Sequence, residues 1–307
     1  RRDVHTHYHV RRNNEADLAH LARRVTGNAF ALTLGGGGAR GLAHIGVIRA
    51  LEEAGFRIDV IGGASVGALV GAGYAVGMDY REMMKLARDF ATRDKWFDVT
   101  LPLVSFLASR KMTQLLDSLF GEINIEDLPR SYFSVSCNLT RADLVIHRSG
   151  PVWYAVRAST AMPGVFAPVP NEDGDLLVDG GVLNNVPADI AGELCEGGPV
   201  AAVNVSPDVD MAGKYAYGPS LSGWRLLLNR FLPPSRRVQA PPLLEILRRT
   251  TDLVTIHHGK VSRERVDLYI NPDVAHYETF DFEPYEELIE AGYRAAWEQI
   301  EAWGQRA

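Results

Sequence analysis

One short stretch, VIGGASVGAL at residues 60–69, constrains this chain more than any other. It predicts a buried strand, a sharp turn that carries Ser65, and the first turn of a helix. Gly63 and Gly67 stand two residues to either side of the serine, where small residues let the flanking backbone pass. Such a turn lifts the hydroxyl out of the sheet and sets it at a helix N-terminus, which favours developing negative charge. The pattern predicts a nucleophilic serine, provided that the chain also supplies an oxyanion hole and a base.

A glycine-rich loop, GGGGARG at residues 35–41, ends the preceding apolar run, AFALTL at residues 29–34. A buried strand, a glycine loop and a helix make an anion-binding geometry. Two nucleotide-binding folds are excluded. Asp59 begins the next strand, whereas a dinucleotide fingerprint needs an acid at the end of that strand, and the Gly-Lys-Ser/Thr of a Walker loop is absent.

The same loop suits an oxyanion hole. It and the serine turn end consecutive strands of one βαβ unit, so parallel pairing brings them side by side. We therefore expect the amides of Gly37 and Gly38 to face the Ser65 hydroxyl. Arg40 is the nearest fixed charge, and it either shapes the loop or attracts an anionic head group.

The chain offers two kinds of base for Ser65. A serine nucleophile is usually served by a histidine that a carboxylate orients, and His257 or His276 could fill that role. The alternative is Asp179, which lies between an apolar strand and two glycines, where a turn-forming role is also common. A carboxylate is a weak base in water, but desolvation raises its pKa and its basicity. These residues alone leave both alternatives open.

Three motifs, in this order, resemble those of the patatin-like phospholipases: GGGARG at 36–41, GASVG at 63–67 and DGG at 179–181. The resemblance covers residues 29–307, which it implies form a single three-layer α/β domain with a mainly parallel central sheet, after a linker and helix over residues 1–28. It implies a catalytic dyad of Ser65 and Asp179, and neither a metal nor a cofactor. It further implies an oxyanion hole made by the amides of Gly36, Gly37 and Gly38, with supporting roles for Arg40, Gly41, Gly63, Gly67, Gly180 and Gly181.

Within the family, three stretches resemble the neuropathy target esterase branch: LARRVTGN at 21–28, SLSGW at 220–224 and the helix that begins near FEPY at 282–285. This resemblance implies an acyl-enzyme hydrolase that releases fatty acid from lysophospholipid or phospholipid. The branch often carries cyclic-nucleotide-binding domains upstream, and some members are membrane-anchored. The resemblance is consistent with such a domain upstream of this chain and with peripheral membrane contact. Two alternatives remain: an esterase with a Ser-His-Asp triad, and a lipid-binding module with a vestigial site.

Composition narrows the partners and the compartment. The 307 residues are 46% hydrophobic, which suffices for one large α/β domain, and the formal net charge of −6 argues against nucleic acid as the main partner. Two cysteines make no disulfide framework, so we expect a cytoplasmic location, which includes the cytoplasmic face of a membrane. The N-terminus has neither an initiator Met nor an apolar signal region, and we expect a piece of a longer protein.

Three segments keep open roles. His5, His7 and His9 alternate, but no carboxylate or cysteine cluster accompanies them, so we expect a polar linker instead of a metal site. Residues 93–130 carry apolar side chains that suit a lid, an acyl-pocket wall or ordinary core. Residues 218–234 place leucines and a tryptophan on one arc with arginines opposite. This pattern favours a core-facing helix over one that lies in a lipid interface.

Overall fold

An eight-stranded, mainly parallel sheet forms the centre of the computed structural model. Parallel pairing joins five strands in the order β3, β2, β1, β7, β8, and β4, β5 and β6 are antiparallel additions around β3. The strands are β1 (Phe30–Leu34), β2 (Ile58–Gly63), β3 (Ser131–Asn138), β4 (Asp143–His147), β5 (Val169–Pro170), β6 (Leu176–Asp179), β7 (Val200–Val203) and β8 (Leu268–Ile270).

The structure describes residues 8, 10–92, 98–206, 219–229, 232, 233, 237, 238, 240, 246, 249 and 266–304. The sequence also predicts a helix at about residues 241–258. Most of that segment, the three N-terminal histidines and His257 lie outside the described residues. Within them are nine α-helices: α1 (Glu15–Val25), α2 (Ala43–Glu53), α3 (Val66–Ala75), α4 (Tyr80–Thr92), α5 (Arg110–Phe120), α6 (Val152–Ser159), α7 (Ala188–Cys195), α8 (Gly223–Leu228) and α9 (Tyr285–Gly304).

Helices cover both faces of the sheet, and the alternation of side chains along each strand explains why. In β1, Leu32 and Leu34 join a large buried cluster with α2, α3 and α9, whereas Ala31 joins a second cluster with α7. In β2, Ile61 and Val60 divide in the same way. Strands buried on both faces consist of continuous apolar runs, which is what the sequence shows. The predicted single three-layer α/β fold is confirmed.

Helix α1 packs against the sheet and is not a free linker. Arg23 and His20 of α1 both contact Asp59 near the start of β2, at 2.7 Å in each case, and Asp59 is buried. The Phe30 amide donates a further hydrogen bond to the same carboxylate. Asp59 therefore fixes α1 to the first two strands. A domain boundary at residue 28 stays a prediction.

The structure describes parts of two segments, residues 93–130 and 218–234, to which the sequence assigned alternative roles. In the 218–234 segment, α8 exposes Trp224 and Leu228, so the described part of this helix does not face the core. In the 93–130 segment, residues 99–107 form a hairpin ahead of α5, with Val99 bridged to Leu107. No helix in the described part of the chain is both long and apolar enough to cross a membrane.

Candidate active site

Strand β3 brings the two candidate catalytic residues to the same level of the sheet. Gly63, the last residue of β2, pairs with Ser134 of β3, and Ser65 follows two residues later. Asp179, the last residue of β6, pairs with Ser136, two residues further along β3. Strand β2, which is parallel to β3, and strand β6, which is antiparallel to it, therefore end beside nearby residues of β3. This arrangement places Ser65 next to Asp179.

The backbone at Ser65 is held in a strained turn. Its φ of 53° and ψ of −126° lie in a region that non-glycine residues rarely adopt, and helix α3 begins at the next residue. The Ser65 amide donates to the Ser159 hydroxyl at 3.0 Å, at the end of α6. A Cβ at either Gly63 or Gly67 would collide with the carbonyl oxygen of Leu34 at the end of β1. Both glycines are therefore required by the close approach of this turn to β1.

Asp179 is a buried carboxylate with few partners. Its side chain accepts a hydrogen bond from the Gly181 amide at 2.8 Å, and its own amide donates to the Ala161 carbonyl at 2.9 Å. Burial raises the pKa of Asp179 to about 6, although hydrogen bonds from the Ser65 hydroxyl and the Gly181 amide oppose the rise. The carboxylate is thus more basic than an exposed aspartate and is still ionised at neutral pH.

The glycine loop is anchored on both sides. The Gly36 amide donates to the side-chain oxygen and to the backbone carbonyl of Asn185, at 3.1 and 3.3 Å. The Ala39 amide donates to the Thr279 carbonyl at 2.7 Å, and the Arg40 guanidinium donates to the Thr279 hydroxyl at 2.6 Å. Arg40 is buried, so its position favours a role in shaping the loop over one in attracting a head group.

Two cavities meet at Ser65. A polar one of about 30 Å³ is lined by the glycine loop, Ser65, Asp179 and Asn185. An apolar one of about 90 Å³ runs between α3, α4 and α5, and Ser65, Gly38 and Met162 line both. The apolar wall is rich in methionine and phenylalanine, which include Met78, Met83, Met112, Phe166 and Phe282. The serine hydroxyl therefore stands where a polar group and an apolar chain can be bound together.

No described histidine lines either cavity. His276 is exposed and packs against the ring of Tyr277, so the structure does not bring this candidate base to Ser65. His44 lies near the glycine loop, but it is fully buried and its Nε2 bonds the Gly35 carbonyl at 2.7 Å. Burial lowers the pKa of His44 to about 4, which keeps the ring neutral. The described residues also contain no cluster of three or more potential metal ligands.

Three site residues were not singled out from the sequence: Ser159, Asn185 and Ser206. Asn185 follows the DGG motif by four residues, just before α7, and this was the one local signal. An asparagine there is equally typical of a helix cap. The side chains of Ser159, Asn185 and Ser206 bond partners that lie 94, 149 and 21 or more residues away in the chain, so no local pattern predicts these contacts.

A family model described as patatin-like phospholipase matches residues 32–191 of this chain. Neuropathy target esterase sws from Drosophila melanogaster is 36% identical over 289 residues, which are 92% of this chain and 20% of that protein. Lysophospholipase NTE1 from Meyerozyma guilliermondii is 34% identical, over 94% of this chain and 20% of that protein. An uncharacterized NTE family protein, Mb2594, from Mycobacterium bovis is 38% identical, over 94% of this chain and 49% of that protein.

The chain thus spans about a fifth of the length of the first two relatives and about half of the third. The family model covers more than half of the chain and includes the glycine loop, the serine turn and the DGG motif. The structure places these three motifs around one cavity. The chain belongs to the patatin-like phospholipase family.

Proposed function

We propose that this chain is a serine lipid hydrolase that releases a fatty acid from lysophospholipid or phospholipid through an acyl-enzyme on Ser65. One observation carries the proposal: Ser65 lies beside a buried carboxylate at the junction of a polar and an apolar cavity. The names of the relatives, an esterase and a lysophospholipase, support an ester of a lipid as the substrate.

The reaction starts with proton transfer from the Ser65 hydroxyl to Asp179. The Ser65 oxygen then attacks the ester carbonyl carbon, and the carbonyl oxygen becomes an oxyanion. The Gly37 and Gly38 amides stabilise that charge, whereas the Gly36 amide already donates to Asn185. This assignment narrows the predicted hole from three glycines to two. Donors fixed before the reaction are usually the largest electrostatic contribution in such sites.

The intermediate then collapses, and the proton held by Asp179 moves to the leaving alcohol of the glycerophospho group. A water molecule next gives a proton to Asp179 and attacks the acyl carbonyl. The bond between the acyl carbon and the Ser65 oxygen then breaks, the proton on Asp179 returns to that oxygen, and the fatty acid is released. Base catalysis works best when the pKa of the base is near the working pH. The pKa of about 6 for Asp179 suits this role far better than the value of an exposed aspartate.

The apolar cavity holds the acyl chain in this proposal. It follows α3 from Ser65 to Gly73, a distance of about 12 Å for a helix of this length. Four of the six methionines of the chain line it: Met78, Met83, Met112 and Met162. Unbranched thioether side chains adapt their shape, so a wall of this kind suits flexible acyl chains of several lengths.

We further propose that the hairpin at 99–107 contacts the lipid surface from which the substrate enters. It exposes Val99, Leu101, Leu103 and Val104, each by more than 70%, and the whole segment has no charged residue. Apolar clusters of this size on a soluble surface usually mark an interaction site. The upstream cyclic-nucleotide-binding domain stays a prediction from the resemblance, and the cytoplasmic location stays a prediction from cysteine usage.

Two features of the hairpin support a lipid surface as its partner. Part of its backbone is paired internally, since the Thr100 amide donates to the Phe106 carbonyl and the Leu103 amide donates to the Leu101 carbonyl. These internal bonds lower the cost of bringing the paired groups into contact with an apolar phase. Leu107 also bridges to Phe166, which lines the acyl cavity, so the hairpin is fixed to the cavity wall.

The test is fluorophosphonate labelling together with hydrolysis of lysophosphatidylcholine. We expect the probe to label Ser65 in the wild type, and expect Ser65→Ala and Asp179→Asn to abolish hydrolysis with the fold intact. Asp175→Asn, just before the same strand, is the matched control and should keep activity. Near-normal hydrolysis by Asp179→Asn would return the histidines as candidate bases. Absence of labelling at Ser65 would favour a lipid-binding module.

A further inference from the structure

The side chain of Asn185 pairs with the backbone N–H and C=O of a single residue of the glycine loop, Gly36. Its Oδ1 accepts from the Gly36 amide and its Nδ2 donates to the Gly36 carbonyl, both at 3.1 Å. Because one partner is a donor and the other an acceptor, only one orientation of the side-chain amide fits. Asn185 is buried, so water does not compete for these bonds. The pairing fixes the position of Gly36 on two sides.

Ser206 completes the arrangement. Its hydroxyl donates to the Gly36 carbonyl at 3.2 Å and accepts from Asn185 Nδ2 at 3.1 Å. The Ser206 amide donates to Asn204 Oδ1 at 3.0 Å, which anchors this residue just after β7. The Gly36 carbonyl therefore accepts two hydrogen bonds from buried side chains. Loops that follow β1, β6 and β7 are joined at this one carbonyl.

This arrangement determines the direction of the next amide. The carbonyl of Gly36 and the N–H of Gly37 belong to one planar trans peptide, so they point in opposite directions. With the carbonyl held by Asn185 and Ser206, the Gly37 N–H points away from them. Gly37 lines the cavity that also contains Ser65 and Asp179. Among the described residues, no protein acceptor bonds the Gly37 N–H.

A loop of consecutive glycines needs such a restraint. Glycine adopts most backbone conformations at little cost, so the Gly36–Gly37 peptide could rotate with small steric resistance. A rotated peptide would turn its carbonyl oxygen into the cavity, where it would repel an oxyanion. Space is also tight around the side chain. A Cβ at Gly36 would lie 2.5 Å from Asn185 Oδ1, and one at Gly181 would lie 2.7 Å from the same atom.

A role in capping α7 does not explain Asn185. Helix α7 has Pro187 at its N-cap and no side-chain cap hydrogen bond. The neighbouring Asn184 bonds Asp189 in the first turn of that helix, at 2.9 Å. Within the described part of the chain, the side-chain hydrogen bonds of Asn185 go to Gly36 and Ser206.

From these contacts we propose that Asn185 and Ser206 are positioning residues, which hold the Gly36–Gly37 peptide so that the Gly37 N–H meets the oxyanion. The inference rests on the proposed function. It predicts a loss of transition-state stabilisation with unchanged ground-state binding, because neither side chain contacts the acyl cavity. Loss of one oxyanion donor costs about 100-fold to 1,000-fold in kcat.

The experiment compares Asn185→Leu and Ser206→Ala with Asn184→Leu as the matched control. We expect kcat on lysophosphatidylcholine to fall about 100-fold for Asn185→Leu and about 10-fold for Ser206→Ala, with KM within about twofold of wild type. The rate of fluorophosphonate inactivation should fall in parallel, since that reaction also builds charge on an oxygen in the hole. Asn184→Leu should match the wild type in both assays.

The double variant Asn185→Leu/Ser206→Ala gives a second readout. If both residues act by holding one peptide, their effects are not additive, because they act through a shared element. The kcat of the double variant should then be at most about threefold lower than the kcat of Asn185→Leu. A rise in KM at unchanged kcat would overturn the inference, and so would a wild-type inactivation rate in both single variants. Ser206→Ala removes one hydroxyl only, which keeps the test available if the leucine variant does not fold. An inactive, unlabelled wild type would instead refute the proposed function.

Discussion

The ionised Asp179 carboxylate, which the proposed reaction needs, is expected to lower the stability of the folded protein. Burial raises the pKa of Asp179 to about 6 from the ordinary 3.8, which means that the folded protein binds the proton more tightly than the unfolded chain does. One pKa unit corresponds to about 1.36 kcal/mol, so the ionised carboxylate costs about 3 kcal/mol of folding free energy at pH 7. Asp179→Asn removes the charge, and its amide oxygen can still accept from the Gly181 amide. The variant should therefore be inactive and more stable by as much as about 3 kcal/mol.

The pH dependence gives the sign of this effect. Below pH about 4 the carboxyl group is protonated in both states, and Asp179→Asn should match the wild type in stability. As the pH rises from about 4 to about 6, the unfolded chain loses its proton first, and the wild type loses stability relative to the variant. Above pH about 7 the difference should be constant. The stabilisation is thus a property of the charge and not of a new contact.

Urea denaturation at several pH values between 4 and 8 measures the difference directly, with equal m-values as the condition for comparison. Asp175→Asn is the matched control of opposite sign. Asp175 is bonded by Asn138 and Arg141, which lower the pKa of its carboxyl group. That variant should lose stability at pH 7. An Asp179→Asn variant that is less stable than the wild type at pH 7, or equally stable across the range, would refute the reasoning.

Three further predictions follow from the same site. On a soluble ester, kcat/KM should fall about tenfold per pH unit below pH about 6, because protonated Asp179 accepts no proton; a flat profile down to pH 4 would exclude it as the base. Gly73→Ala adds a methyl group 3.3 Å from the Met78 sulfur in the acyl cavity, so the substrate preference should shift toward shorter acyl chains, and α3 should become more stable by up to about 1 kcal/mol. The control Gly71→Ala lies outside the cavity, so it should stabilise the helix equally and keep the wild-type chain-length preference. Leu103→Asp should lower hydrolysis of vesicle-bound lysophospholipid more than that of a soluble nitrophenyl ester, and Leu139→Asp, the control at an exposed leucine outside the hairpin, should lower neither. Equal loss on both substrates for Leu103→Asp would contradict lipid contact.

The parts of the fold that the sequence predicted are those set by local chemistry. Gly63 and Gly67 are required by the approach of one carbonyl, and the strand–turn–helix around Ser65 follows from that spacing. The buried run of β1 is apolar throughout because helices cover both of its faces. The helix predicted to begin near residues 282–285 is found at Tyr285–Gly304, since its apolar face recurs with the helical period.

The parts that local patterns did not predict depend on distant partners. The antiparallel register of β6 on β3, which carries Asp179 to the site, is set between strands about 40 residues apart. The role of Asn185 depends on a loop 149 residues earlier. The pattern of residues 218–234 was consistent with both a core and a surface helix, and Trp224 proves to be 78% exposed. Periodicity identifies an apolar face but does not show what covers it.

Strand β3 sets the distance between the nucleophile and its base, although neither residue belongs to this strand. Ser65 and Asp179 are each placed by a register on β3, at Ser134 and Ser136, with Val135 between them. One residue inserted at Val135 would shift the two registers apart by about 3.3 Å and turn the following side chains to the other face. The hydrogen bond between serine and carboxylate would then be lost with both residues intact. In this fold, the number of β3 residues between the two pairing positions sets the distance between the catalytic groups. An insertion or deletion in β3 should therefore lower activity as much as the loss of a catalytic group.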